Sequence, residues 1–260
     1  MTILNRIDDG PVTTVTLNRP TALNALSDEM LAALKATLTD IAATPSLRVV
    51  ILSAEGRAFC AGHDLKEMQA KRDAPDKGAA AIHDLFTRCA EVMQLIQSMP
   101  QPVIAQVQGL ATAAGCQLVA TCDLALASDE ARFGVNGVNI GLFCSTPMVA
   151  LTRAIPRKAA FEMLTTGRFV SADTARKMGL INRTVPALDL AVETRSLADT
   201  IAGKLASAVR HGKRAFYAQA QMSTADAYAY TGEVMTANML DRDTDEGITA
   251  FLEKRPPDWS

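Results

Sequence analysis

The chain opens on alternating apolar and polar positions. MTILNRI and VTTVTLN flank Asp9-Gly10, a dipeptide that favours a tight hairpin turn, so two antiparallel strands are predicted. Pro20 ends the second strand, and Ser27 is placed to cap a helix whose first turn carries Asp28 and Glu29. Met30, Leu31, Leu34, Leu38 and Ile41 then recur at helical spacing. The apolar runs RVVILSA, PVIAQV and DLALAS read as buried strands, separated by helical segments and turns. The order to about Ala127 is strand, strand, helix, strand, helices, strand, helix, strand, which predicts an α/β arrangement with helices packed on sheets. From Asp189 onward the pattern is helical, and the polar stretch KRDAPDKG at 71–78 predicts a mobile surface loop.

Composition narrows the class. A chain of 260 residues, 48% hydrophobic and 21% charged, supports a substantial core. Its formal charge of −2 provides no basic field for nucleic acid. No apolar run is long enough to cross a bilayer, and the first residues lack the pattern of a secretory signal. Cys60, Cys89, Cys116, Cys122 and Cys144 are odd in number and contain no C-x-x-C pair. Unpaired thiols of this kind fit a reducing compartment, and a cytoplasmic protein is expected.

Two segments carry candidate chemistry. In GRAFCAGHDLKEM, Asp64 is placed to cap a helix starting LKEM, which leaves backbone N–H groups near His63 at a free helix start. In QGLATAAGCQLVA, Gly109 and Gly115 permit tight turns, and the N–H groups near Ala114 open a second helix. Two such donors converging on one oxygen would stabilise an enolate or a tetrahedral oxyanion, whereas two ordinary strand-to-helix turns would do nothing. His83 and His211 are expected at the surface of helices, Asp123 as a structural residue at a strand start, and Cys144 as a buried structural thiol.

With these residues in view, the sequence resembles the crotonase superfamily, the enoyl-CoA hydratase/isomerase family. RPTALNAL resembles the family's adenine-side CoA loop, and AFCAGHDLKEM its first oxyanion segment. VQGLATAAGCQLVATCDLALAS resembles the second oxyanion segment, and EGITAFLEKRPPDW the C-terminal ending. The resemblance implies a spiral of ββα units over residues 1–195 and a helical region over 196–260 that assembles trimers or dimers of trimers. It implies that Ala22, Leu23, Ala25, Ala61, His63, Asp64, Leu65, Lys66 and Ala114 bind acyl-CoA, with Lys66 on the phosphates. His63 and Ala114 would hold the thioester oxygen through their backbone N–H groups. No metal or further cofactor is implied, because coenzyme A enters with the substrate.

The family's hydratases are lyases of fatty-acid metabolism that use two glutamates. Their places here are taken by Gln117 and Gly137. An amide orients water but has no proton equilibrium near neutral pH, and Gly137 has no side chain at all. The expectation is therefore an acyl-CoA-binding protein, nominally a hydratase, with weak or absent ordinary hydratase activity. The family's dienoyl isomerases place an aspartate where this chain has Ser145, and its methylmalonyl-CoA decarboxylases a tyrosine near Cys144. Gly141–Pro147 together with Ala113–Gln117 resembles a glutamate-free subgroup. A decarboxylase or hydrolase using His63, and a non-catalytic acyl-CoA binder, stand as alternatives.

Overall fold

The structure is a computed structural model that describes residues 2–259. β1 (Leu4–Asp9) and β2 (Val12–Leu17) form the expected hairpin, paired antiparallel from Leu4 opposite Leu17 to Asp9 opposite Val12. Ser27 caps α1 (Asp28–Ala42), its hydroxyl accepting from the Met30 N–H, and the five apolar positions read from the sequence are all buried. There follow β3 (Val49–Ala54), β4 (Ala58–Cys60), α2 (Leu65–Lys71) and α3 (Ala79–Ser98). In the 71–78 connection the Asp76 carboxylate accepts from the Gly78 and Ala80 N–H groups, which starts α3. Next come β5 (Val103–Val107), β6 (Leu110–Thr112) and α4 (Ala114–Thr121), then β7 (Leu124–Ser128) and β8 (Arg132–Gly134). A 3-10 turn at Asn136–Ile140 leads to α5 (Ser145–Ala154), α6 (Arg157–Thr166), β9 (Val170–Ser171), α7 (Ala172–Met178) and β10 (Arg183–Val185). The chain finishes in α8 (Leu190–Ala202), α9 (Ala206–Gln219), α10 (Thr224–Met239) and α11 (Arg242–Leu252).

The strands form two sheets. One has the order β1-β2-β3-β5-β7-β10 and is parallel beyond the hairpin; the other has the order β4-β6-β8-β9. Three times in succession a strand of the first sheet passes directly to a strand of the second, as β3 to β4, β5 to β6 and β7 to β8. Helices return the chain to the first sheet after β4 and β6, and after β8 the helices α5 and α6 lead through β9 of the second sheet before α7 returns the chain to β10, so the path is a spiral of ββα units.

The strand period of two explains why β3 reads as a continuous apolar run. Val50 and Leu52 face the large core with α1 and α3, whereas Val49 and Ile51 face a second cluster with Ile104, Leu126 and α8. The boundary expected at residues 195/196 falls inside α8, whose Leu190, Ala198 and Ala202 pack on that second face. α9 is fastened to the end of the first sheet by Lys213. Its ammonium donates to the carbonyls of Ile96 and Gln101 and pairs with Asp123 at 2.7 Å. Asp123 also accepts from Val103 N–H and Tyr217 Oη, which makes it the structural residue the sequence suggested. No helix among the described residues is long and apolar enough to cross a membrane.

Candidate active site

The two segments singled out in the sequence meet at the end of the second sheet. β4 and β6 are paired in parallel, so the chain leaves both strands on the same side and enters α2 and α4 from there. Asp64 caps α2 as expected, accepting from the Lys66 and Glu67 N–H groups. Gly62 lies directly against the other segment: a Cβ built there would stand 2.9 Å from Ala113 Cβ and 3.3 Å from the Ala114 nitrogen. With φ +90 as well, position 62 accepts only glycine without strain. Among the described residues neither the His63 nor the Ala114 backbone N–H has a hydrogen-bond partner. At Ala113 the turn into α4 takes φ 50, ψ −120, a conformation that an alanine adopts only at a cost.

The stretch resembling a CoA loop lies alongside the first segment. Leu26 N–H donates to Gly62 O at 2.7 Å, Ala61 N–H donates to Leu23 O at 3.0 Å, and Leu26 pairs with His63 as an isolated parallel bridge. Leu23 and Asn24 are consecutive left-handed residues, at φ 51 and 53. The buried Asn24 amide holds this bend, accepting from Arg19 N–H and donating to Glu55 O and Ala58 O. Ala22, Leu23 and Ala25 thus sit beside Ala61 and His63. Lys66 is exposed on the first turn of α2, near an Arg19–Asp64 ion pair of 3.2 Å.

A cavity of about 330 Å³ opens where these elements meet. Of the sequence-selected residues, Ala61, His63, Leu65, Ala114, Gly137 and Cys144 line it; Ala22, Leu23, Ala25, Asp64, Lys66 and Gln117 do not. Its walls are largely apolar, with Met68 and Phe86 on one side and Ile140, Leu142 and Phe143 at the rim. Thr112 and Asn136 also line it and were not singled out from the sequence. They are 24 residues apart and no spacing rule joins them; only the strand pairing of β6 with β8 brings them together.

The His63 ring stacks edge-on against Phe86 at 5.5 Å, and Nδ1 lies 3.4 Å from the Leu26 carbonyl. A carbonyl only accepts, so in the neutral ring this contact favours the tautomer with the proton on Nδ1 and the lone pair on Nε2. Nε2 is buried and unpartnered. Burial is the largest influence on this histidine and holds its pKa below the ordinary 6.5. His83 is exposed as expected, but His211 is half-buried on α9.

The two places expected for glutamates differ in kind. Gln117 is 5% exposed, and its side-chain carbonyl oxygen has no partner. At Gly137 a Cβ would stand 2.3 Å from Leu142 O and 2.8 Å from Cys144 Sγ. The turn, closed by Leu142 N–H donating to Gly137 O, therefore occupies the space a side chain would need. Cys144 is 6% exposed, and burial pushes its thiol up, which suits packing rather than nucleophilic attack.

With fold and site together, the chain belongs to the enoyl-CoA hydratase/isomerase family, whose sequence profile matches residues 8–260. A Xenopus laevis relative named enoyl-CoA hydratase domain-containing protein 3, mitochondrial, is 48% identical over 95% of this chain and 82% of its own length. An enoyl-CoA hydratase structure from Mycobacterium smegmatis superposes with a TM-score of 0.96 at 52% identity, covering 100% of this chain and 99% of that one. The structure of human enoyl coenzyme A hydratase domain-containing protein 3 gives a TM-score of 0.94 at 44% identity, covering 99% and 100%. These likenesses agree with the resemblance to a subgroup read from Ala113–Gln117 and Gly141–Pro147. They overturn the cytoplasmic expectation, because the vertebrate relatives are named as mitochondrial. Unpaired thiols report a redox state and not a compartment, which is why that inference failed.

Proposed function

We propose that the protein binds an acyl-CoA thioester and stabilises its enolate through the backbone N–H groups of His63 and Ala114. The observation that carries this reading is the contact of Gly62 with Ala113 and Ala114, which brings two unpartnered N–H groups to one apolar cavity. Loss of one such donor ordinarily costs about 3–4 kcal/mol of transition-state stabilisation. The Leu23–Leu26 stretch and Lys66 stand where the nucleotide end of the coenzyme would lie, and the rim of Leu65, Ile140, Leu142 and Phe143 suits the pantetheine and acyl chain. Coenzyme A is the only cofactor this chemistry needs. Ordinary hydration is weak or absent in this reading, since neither Gln117 nor Gly137 supplies a carboxylate. The C-terminal helices serve oligomerisation, as a trimer or a dimer of trimers: α10 buries no residue, and Leu240 and Phe251 are each 82% exposed.

A thermal-shift titration with butyryl-CoA, which has no double bond to hydrate, tests the binding. Saturation at about a hundred times Kd stabilises the folded protein by about 2.7 kcal/mol. No shift would remove the reading.

His63 supports a second reading, a decarboxylase or hydrolase in which Nε2 handles the proton. Its buried, unpartnered Nε2 is the observation in favour. His63→Ala retains the backbone N–H, so turnover of the cognate thioester would be lost while butyryl-CoA affinity stays within about twofold. Unchanged turnover would exclude it. A protein that binds acyl-CoA without turning it over is the remaining alternative.

A further inference from the structure

The cavity contains one hydrogen-bonded pair of side chains to which thioester binding gives no task. Thr112 Oγ1 and Asn136 Oδ1 lie 2.6 Å apart, and both residues line the cavity. The distance settles which end of the amide faces the threonine. It is typical of O–H···O and short for N–H···O, so the hydroxyl donates its single proton to Oδ1. The amide is thereby locked with Nδ2 as the free end, and Nδ2 has no partner among the described residues. Nδ2 is open to solvent in the half-buried Asn136, so a ligand that displaces water from this mainly apolar cavity leaves the donor unsatisfied unless it brings an acceptor of its own.

The position and chemistry of that acceptor follow from the neighbours. Thr112 precedes Ala114 by two residues, so the amide stands beside the thioester end of an acyl chain, not its tail. The thioester oxygen is already assigned to the His63 and Ala114 N–H groups. A carboxylate is a poor match, because no lysine or arginine lines the cavity and burial disfavours the charged form of His63. A hydroxyl brings a further proton that must itself be accepted, whereas a ketone oxygen only accepts.

We infer that the site selects 3-oxoacyl-CoA thioesters, with Asn136 as the specificity-determining donor to the 3-oxo oxygen and Thr112 as the residue that positions it. This rests on the acyl-CoA reading above. Acetoacetyl-CoA and butyryl-CoA differ by this one oxygen and have equal chain length, so their affinities for the full chain form the test. By isothermal titration the protein binds acetoacetyl-CoA about tenfold more tightly. Asn136→Leu abolishes that ratio and leaves the butyryl-CoA affinity within about twofold. Asn136→Asp keeps the shape but replaces the donor with an acceptor, and reverses the preference. Thr112→Val frees the amide and lowers the ratio part of the way. Equal affinities in the unaltered protein, or an Asn136→Leu loss shared equally by both ligands, would overturn the assignment. Binding of neither ligand would remove the acyl-CoA reading itself, and this inference with it.

Discussion

At Ala113 the backbone takes a conformation that glycine adopts freely, φ 50 with ψ −120, at the residue before the proposed oxyanion donor. Strain of this kind costs about 1–3 kcal/mol, while glycine adds somewhat less than 1 kcal/mol of unfolded-state entropy. Ala113→Gly is therefore expected to stabilise the protein by about 1 kcal/mol in urea denaturation; destabilisation would show that the alanine methyl contributes more than the strain costs. Gly137 behaves in the opposite way. Gly137→Glu must displace Leu142 O, so it destabilises by about 1–3 kcal/mol and does not create hydration of crotonyl-CoA, even combined with Gln117→Glu. Burial lowers the pKa of His63, so the folded state prefers the neutral ring relative to the unfolded chain, opposed by the Leu26 carbonyl and then Asp28 and reinforced by Arg88. Its contribution is complete above the unfolded value near 6.5 and is lost as pH falls from there through the lower folded value. His63→Gln should flatten the stability profile over that window, as read by denaturation at several pH values; an unchanged slope would refute the assignment of a neutral ring.

Among the elements, legibility follows length and periodicity. Helix α1 was readable because Ser27 caps it and five apolar residues recur at the helical period. Strands β3, β5 and β7 were readable as buried runs. The second sheet was not: β4, β6 and β8 have three residues each and β9 has two, too few to show any alternation. That sheet carries the site, so the meeting of the His63 and Ala114 segments was open from the helix starts and implied by the resemblance, whereas the close approach of Gly62 to Ala113 and Ala114 is visible only in the structure. The glutamate places were legible as residue types, but the filling of Gly137's side-chain space by Leu142 O was not. It arises from the turn Gly137–Leu142, six residues long, closed by a hydrogen bond that no pattern announces.

In the molecule as a whole, the helical C-terminal region is tied to the α/β body by the packing of α8 on the first sheet and, at α9, by a buried ion pair. Lys213 and Asp123 have side chains only 6% and 14% exposed, so removing one partner strands the other. Lys213→Met is expected to cost about 3–5 kcal/mol and to loosen α9 in hydrogen exchange before the sheets open. A loss below 1 kcal/mol would mean that packing alone holds the helix. The proposed trimer belongs to this scale too, and sedimentation of the full chain reads it directly: a monomer would leave Leu240 and Phe251 unexplained. The proposed function amounts to a thioester site kept intact while the carboxylate chemistry of hydration is gone. Its most direct test is the rate of hydration of saturating crotonyl-CoA, followed by loss of the enoyl-thioester absorbance beside a family member that carries both glutamates. The expected rate is at least about 10²-fold lower, the smallest loss expected when a general acid–base group is missing. A comparable rate would contradict it.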